Sequence, residues 1–234
     1  MSTEHLVVAI DGPSGSGKSS VSRAVARGLG VGFLDTGAMY RALTWWCLEQ
    51  GVDLEDADAV AVAARDLPLE MGTDPATPSV RVSGREVEQD IRTTRVSAAV
   101  SKVATNTLVR PVLQQQQREI IDRVATDLGG VVAEGRDITT VVAPDADVRV
   151  LLTASVEARL RRRSKQLHGS DGDDAVAATR DQIVRRDRDD STVSDFLEAA
   201  PGVTLVDTSD LDFDQSVQAV LGVVRSVAPD KVRA

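Results

Sequence analysis

The sequence predicts an α/β fold built on a five-stranded parallel sheet wound with helices, and three observations point there. Apolar, β-branched runs bounded by turn signals recur at Leu6–Ile10, Gly32–Leu34, Gly130–Ala133, Val148–Leu152 and Val203–Val206, with helical patterns between them. Asp11, Asp35, Glu134 and Asp207 follow four of these runs directly, so acidic groups collect at the carboxyl ends of the strands, where an open parallel sheet binds its ligand. Directly after the first run comes Gly12-Pro13-Ser14-Gly15-Ser16-Gly17-Lys18-Ser19-Ser20, which fits G-x-x-x-x-G-K-[ST] in the required order of strand, loop and helix.

That loop is expected to cradle phosphates. Glycines let consecutive backbone N–H groups turn inward around phosphate oxygens, and a helix beginning near Lys18 adds the positive end of its dipole. Lys18 is expected to reach the β- and γ-phosphates of a nucleoside triphosphate, and Ser19 to hold Mg²⁺.

Composition narrows the class. The chain has 234 residues, 42% hydrophobic and 27% charged, enough to bury one α/β core or a core with an insert. No stretch is apolar and long enough to span a bilayer, and Met1-Ser2-Thr3-Glu4-His5 leads into the first strand without the regions of a signal peptide. The cytoplasm is the expected address. One cysteine, Cys47, and two histidines, His5 and His168, leave no basis for a disulfide or a Cys/His metal site. A formal net charge of −9 argues against binding a nucleic-acid polymer or an anionic membrane, so an anionic ligand must meet local arginines. No heptad repeat argues for more than a monomer.

Chain spacing places two elements beyond the sheet. The second and third strands are separated by residues 35–129, far more than one crossover needs, so an insert is expected over 64–129, with the core formed by 1–63 and 130–234. Inside it, Leu67–Met71 and Ser79–Val82 read as short antiparallel strands and Gly84 as a tight turn. Arg95–Ala104 and Pro111–Leu128 read as helices. The other element covers about 157–190, where Arg159, Arg161, Arg162 and Arg163 precede a Gly/Asp-rich turn and Arg180, Arg185, Arg186 and Arg188 follow it. Beside a phosphate cradle this suggests a helical lid; in isolation it would read as a solvated hairpin.

Five strings then occur in order: Ile10-Asp11-Gly12 through Ser20, Leu34-Asp35-Thr36-Gly37-Ala38-Met39-Tyr40-Arg41, Asp90-Ile91-Arg92, Glu134-Gly135-Arg136-Asp137-Ile138, and Arg186-Asp187-x-x-Asp190-Ser191. Each alone has a plainer explanation as a cap, a turn or a salt-bridged helix end. Together they resemble bacterial cytidylate kinase over nearly the whole chain. The resemblance implies a P-loop nucleoside-monophosphate kinase core with an enlarged acceptor-nucleotide insert and a lid, and reversible transfer of the ATP γ-phosphoryl group to CMP or dCMP. It implies that Gly12, Pro13, Ser14, Gly15, Ser16, Gly17, Lys18, Ser19 and Ser20 bind ATP with Mg²⁺. Thr36, Arg41, Arg92, Arg136 and Asp190 match positions around the CMP phosphate and ribose, and Ser101, Arg110 and Asp137 match positions that contact cytosine. Lys18, Arg136, Arg162 and Arg186 are the expected charge-neutralising catalytic groups.

Two departures stand out. The family string continues with Thr-Arg, where this chain has Thr192-Val193, and the glycine after Arg-Asp-Ile is Thr139. If a neighbouring cation replaces the missing arginine, Arg185 and Arg188 are the nearest, three apart on one helical face. Two competing classes remain: another small-molecule P-loop kinase, acting on AMP, UMP or a non-nucleotide acceptor, and a nucleotide-dependent switch or binding protein without an acceptor pocket.

Overall fold

The computed structural model describes residues 5–168 and 187–232. Its centre is the expected five-stranded parallel sheet, formed by β1 (Leu6–Asp11), β2 (Gly32–Asp35), β6 (Gly130–Gly135), β7 (Val148–Thr153) and β8 (Thr204–Asp207). The spatial order is β2-β6-β1-β7-β8. The three inner strands are almost wholly buried, which explains why they read as continuous apolar runs rather than alternating ones. After β1 the chain moves to the β2 edge, and after β6 it crosses to β7 on the other side of β1. The crevice beyond the ends of β1 and β6 is therefore the switch point where ligands bind in such sheets.

Helices cover both faces. On one side α1 (Lys18–Leu29) and α7 (Phe213–Val227) pack Val21, Val25, Val220 and Val224 against Val8, Ile10 and Val150. The second half of α5 (Arg110–Leu128) covers the opposite face, with Ile121 and Val124 against Leu34, Val131 and Ala133. A third cluster joins α2 (Thr36–Glu49), α3 (Ala57–Arg65), α4 (Thr94–Ala104) and the start of α5, centred on Leu43, Val60, Val100 and Leu113. Cys47 lies inside it, and burial pushes its thiol up to about 11. The helix α6 (Val156–His168) follows β7. No helix among the described residues is long and apolar enough to cross a membrane.

A small antiparallel sheet, β3 (Leu69–Gly72), β4 (Ser79–Val82) and β5 (Arg85–Glu86), follows α3. Its third strand was not expected from the sequence. Ser83 and Gly84 both have positive φ, 51° and 74°, which makes the two-residue turn that matches strand twist and pairs Val82 with Arg85. The tip of the β3–β4 loop is tied to the main body: the Phe33 N–H donates to the Thr73 carbonyl at 2.8 Å, and Arg23 donates to the carbonyls of Pro75 and Ala76 at 2.6 and 2.8 Å.

Candidate active site

The loop between β1 and α1 approaches its neighbours too closely for side chains. A Cβ on Gly12 would lie 2.1 Å from the Leu152 carbonyl oxygen, and one on Gly15, at φ 77°, would lie 2.8 Å from that of Arg159. Three arginines hold the loop from outside. Arg136 donates to the Gly12 carbonyl and, at 2.8 Å, to the Ser14 hydroxyl; Arg159 donates to the Ser14 carbonyl at 3.0 Å, and Arg162 to that of Ser16 at 3.1 Å. Asp187 completes the brace, accepting from the Ser14 N–H at 2.9 Å and pairing with Arg159.

Lys18 and Ser19 stand on the first turn of α1 and meet Glu134 at the end of β6, Lys18 as an ion pair and Ser19 through a 2.5 Å hydrogen bond to Oε1. Asp35 is in register with Glu134 across the β2–β6 pair, caps α2 through the Ala38 N–H at 2.9 Å, and accepts from Arg92 at 3.2 Å. These carboxylates differ in proton affinity. Burial pushes Glu134 up and the adjacent Asp35 adds to this, against the opposing pull of Lys18. Burial acts on Asp35 as well, but the cations of Arg92 and Lys18 and the Ala38 amide outweigh it and hold Asp35 below the usual carboxylate range. One hydroxyl and two carboxylates at a helix start suit Mg²⁺, which takes a few hard oxygen ligands and completes its shell with water and substrate phosphate.

A cleft runs from this loop towards α4 and α5, lined by Thr36, Tyr40, Arg41, Arg92, Arg110, Arg136, Asp137, Asp190, Val193 and Ser194. Thr36 donates to the Glu134 carbonyl at 2.8 Å. Arg41 is 8% exposed and donates to the Ile91 carbonyl and the Ser97 hydroxyl at 3.2 and 2.9 Å. Arg136 reaches Asp190 at 3.2 Å and lies over the Phe196 ring, 4.4 Å from its centroid. At the far end, Asp137 Oδ2 accepts from Arg110 and Gln114, both at 2.6 Å, while Arg110 also donates to the Ala104 carbonyl and the Ser194 hydroxyl. Burial, with the Asp137 charge adding to it, keeps the Tyr40 phenol neutral beside this group.

A glycine-rich loop and an arginine–aspartate pair thus lie at opposite ends of one cleft. The cytidylate kinase family model matches residues 8–226. The chain belongs to the cytidylate kinase family. A cytidylate kinase from Rhodococcus opacus is 51% identical over 226 residues, covering 96% of each chain. One from Cutibacterium acnes is 50% identical over 226 residues, covering 96% of this chain and 98% of its own. Among solved structures, an uncharacterized protein from Eubacterium ventriosum superposes with a TM-score of 0.52 at 10% identity, covering 95% of this chain and 99% of its own, which shows the fold alone.

Within this cytidylate kinase family member, not every expected site residue faces the cleft. Arg162 spends its remaining donors on the Thr208 hydroxyl and on the carbonyls of Thr208 and Leu211, away from the cleft lining. Ser101 lies on α4 between the cleft-lining Val100 and Ala104 without lining it. Gly12 and Ser16 lie beneath the lining, while Pro13, Ser14, Gly15, Gly17, Ser19 and Ser20 form it. Arg186, like Arg180 and Arg185, lies outside the described residues.

Arg188, expected as a neighbouring cation in place of the arginine absent at Val193, does not line the cleft, whereas Val193 does. Residues 187–190 form a helical turn whose buried face carries Asp187 and Asp190, three apart, which turns Arg188 outward: its side chain is 75% exposed and, among the described residues, pairs with Asp189 at 3.6 Å. Thr139 does not line the cleft. Its N–H and hydroxyl donate to Asp11 Oδ2 at 2.8 and 2.6 Å, and the Ile138 N–H donates to Oδ1 at 3.0 Å. Sequence reasoning gave no individual role to Glu134, Asp187, Gln114 or Ser194; it placed Arg159 among the arginines of a lid, and Asp35 and Glu134 at the ligand end of the sheet as acidic residues directly after strands. Gln114 offered only its spacing of four from Arg110.

Proposed function

We propose that the chain transfers the γ-phosphoryl group of ATP to CMP or dCMP, reversibly, giving ADP and CDP or dCDP. The observation that carries this is the Arg110–Asp137 pair facing the phosphate loop across one cleft. A carboxylate accepts from the exocyclic amine of cytosine, and Arg110 donates to its O2 or N3. Uracil would turn a carbonyl oxygen towards the carboxylate and leave a buried acceptor unpaired.

The chemistry asks for alignment and charge neutralisation rather than a strong base, because the acceptor is a phosphate oxygen already ionised near neutral pH. In this role Lys18, held beside Glu134, would exchange that carboxylate for the β- and γ-phosphates as charge moves between them. Arg41, Arg92 and Arg136 surround the place for the acceptor phosphate, and Thr36 and Asp190 border it. Mg²⁺, held by Ser19 with Glu134 and Asp35 nearby, supplies further charge stabilisation when bound.

A coupled ADP-release assay across CMP, dCMP, UMP and AMP tests this. CMP and dCMP are expected to exceed UMP and AMP in kcat/KM by about tenfold or more. A preference for AMP or UMP, or ATP hydrolysis with no acceptor dependence, overturns it.

A further inference from the structure

We propose that Gln114 is a specificity-determining positioning residue, holding Asp137 so that one carboxylate oxygen stays available to the acceptor base. The proposal rests on the CMP assignment above. Arg110 and Gln114 are four residues apart on the first turns of α5 and so share a face. Both donate to the same oxygen, Oδ2 of Asp137, at 2.6 Å. Two donors saturate the lone pairs of that oxygen, whereas Oδ1 receives no hydrogen bond among the described residues, and Asp137 lines the cleft.

The alternative geometry shows what the amide prevents. An arginine fork and a carboxylate pair most strongly through two parallel hydrogen bonds. Held by Arg110 alone, Asp137 can rotate into that arrangement, which uses Oδ1 and a second Arg110 donor, the groups a cytosine needs. Gln114 fills the second lone pair of Oδ2 with a neutral donor and so opposes the rotation without adding charge. Ser194 acts on the other partner, its hydroxyl accepting a hydrogen bond from the same Arg110 nitrogen at 2.8 Å.

The test is steady-state kinetics with CMP and UMP on the full chain and two variants. Gln114→Leu is expected to lower kcat/KM for CMP by about tenfold, mainly through KM, with a smaller loss for UMP and an unchanged KM for ATP. Gln114→Glu gives a readout that a purely structural role does not move. At about pH 5.5 the introduced carboxyl, set beside the Asp137 carboxylate, keeps its proton and donates as the amide does. At about pH 8 two carboxylates oppose each other, so the CMP/UMP ratio falls as pH rises. The ratio cancels the titration of the acceptor phosphate, common to both substrates. The wild-type profile accounts for the other groups facing Asp137, namely Arg110 from α5, Tyr40 from α2 and Asp11 from β1. A wild-type protein with no preference for CMP overturns the functional assignment and this proposal together. A wild-type preference that survives both substitutions in folded protein, at both pH values, overturns the role of Gln114 alone.

Discussion

The two ends of the cleft are built on different principles. The phosphate end is one continuous run, residues 12–19, whose shape comes from glycines, a helix start and backbone carbonyls gripped by Arg136, Arg159 and Arg162. The base end is assembled from separate parts of the chain: Arg110 and Gln114 from α5, Asp137 after β6, and Ser194 beyond α6, joined by hydrogen bonds between side chains. The difference teaches where each property resides. Changes at the phosphate end should alter the rate for every acceptor, and changes at the base end should alter the choice among acceptors.

The largest expected effect tests the first half of that contrast. Lys18→Ala should lower kcat by about 10²- to 10³-fold for CMP and UMP alike while the protein stays folded by circular dichroism. Glu134 loses its partner in this variant, but burial already favours its protonated form, so it can take up a proton instead of remaining an uncompensated charge. Asp137→Asn breaks the second half: it should cost about 1–3 kcal/mol in kcat/KM for CMP and narrow the CMP/UMP ratio, because an amide can also donate to uracil. An unchanged ratio would place base choice elsewhere in the cleft.

Smaller effects separate scaffold from site. Thr139→Val removes the hydroxyl that serves Asp11 and should lower stability by about 1 kcal/mol in urea denaturation without moving the CMP/UMP ratio. Asp11 also sets a pH dependence. Burial holds its carboxyl above the ordinary value of 3.8, its hydrogen bonds from Thr139 and Ile138 offsetting this only in part. The folded state therefore binds that proton more tightly than the unfolded state. The resulting stabilisation is complete below about pH 3.8 and is lost as pH rises through the folded value. The stability difference between wild type and Asp11→Asn, which cannot ionise there, should shrink as pH rises from about 4; a constant or growing difference would contradict the shift. The smallest effect is expected for Arg188→Ala, within about twofold of wild type in kcat and KM for CMP, since its side chain is 75% exposed and its ion-pair partner among the described residues is Asp189, outside the cleft lining. A loss of tenfold would bring Arg188 back as a clamp on the acceptor phosphate.

The same contrast explains what could be read from the sequence. Buried strands, the phosphate loop and the helix starts are local patterns, and all five strands of the main sheet lie where the apolar runs place them. Strand β5 is two residues long and escaped because its signal is a Ser83-Gly84 turn rather than an apolar run. The orientation of a side chain on a helix is not local. Arg162 reads with the phosphate-facing arginines of a lid, but beyond the Ser16 carbonyl its partners are Thr208 and Leu211 in the loop after β8, forty-six or more residues away in sequence. Gln114 was invisible for a related reason: its partner Asp137 is twenty-three residues on, and only the packing of α5 against the main sheet brings them together. The Asp11–Thr139 contact spans 128 residues, so the sequence shows a threonine in place of glycine without showing the carboxylate that it serves.

The separation of rate from choice is tested most directly by equilibrium binding of CMP and UMP to the Lys18→Ala variant, by titration calorimetry beside wild type. The base end does not use Lys18, so CMP should bind within about threefold of its wild-type affinity and keep its preference over UMP while phosphoryl transfer is lost. Loss of CMP binding in a folded variant, or a CMP/UMP preference that disappears with the lysine, would contradict the account.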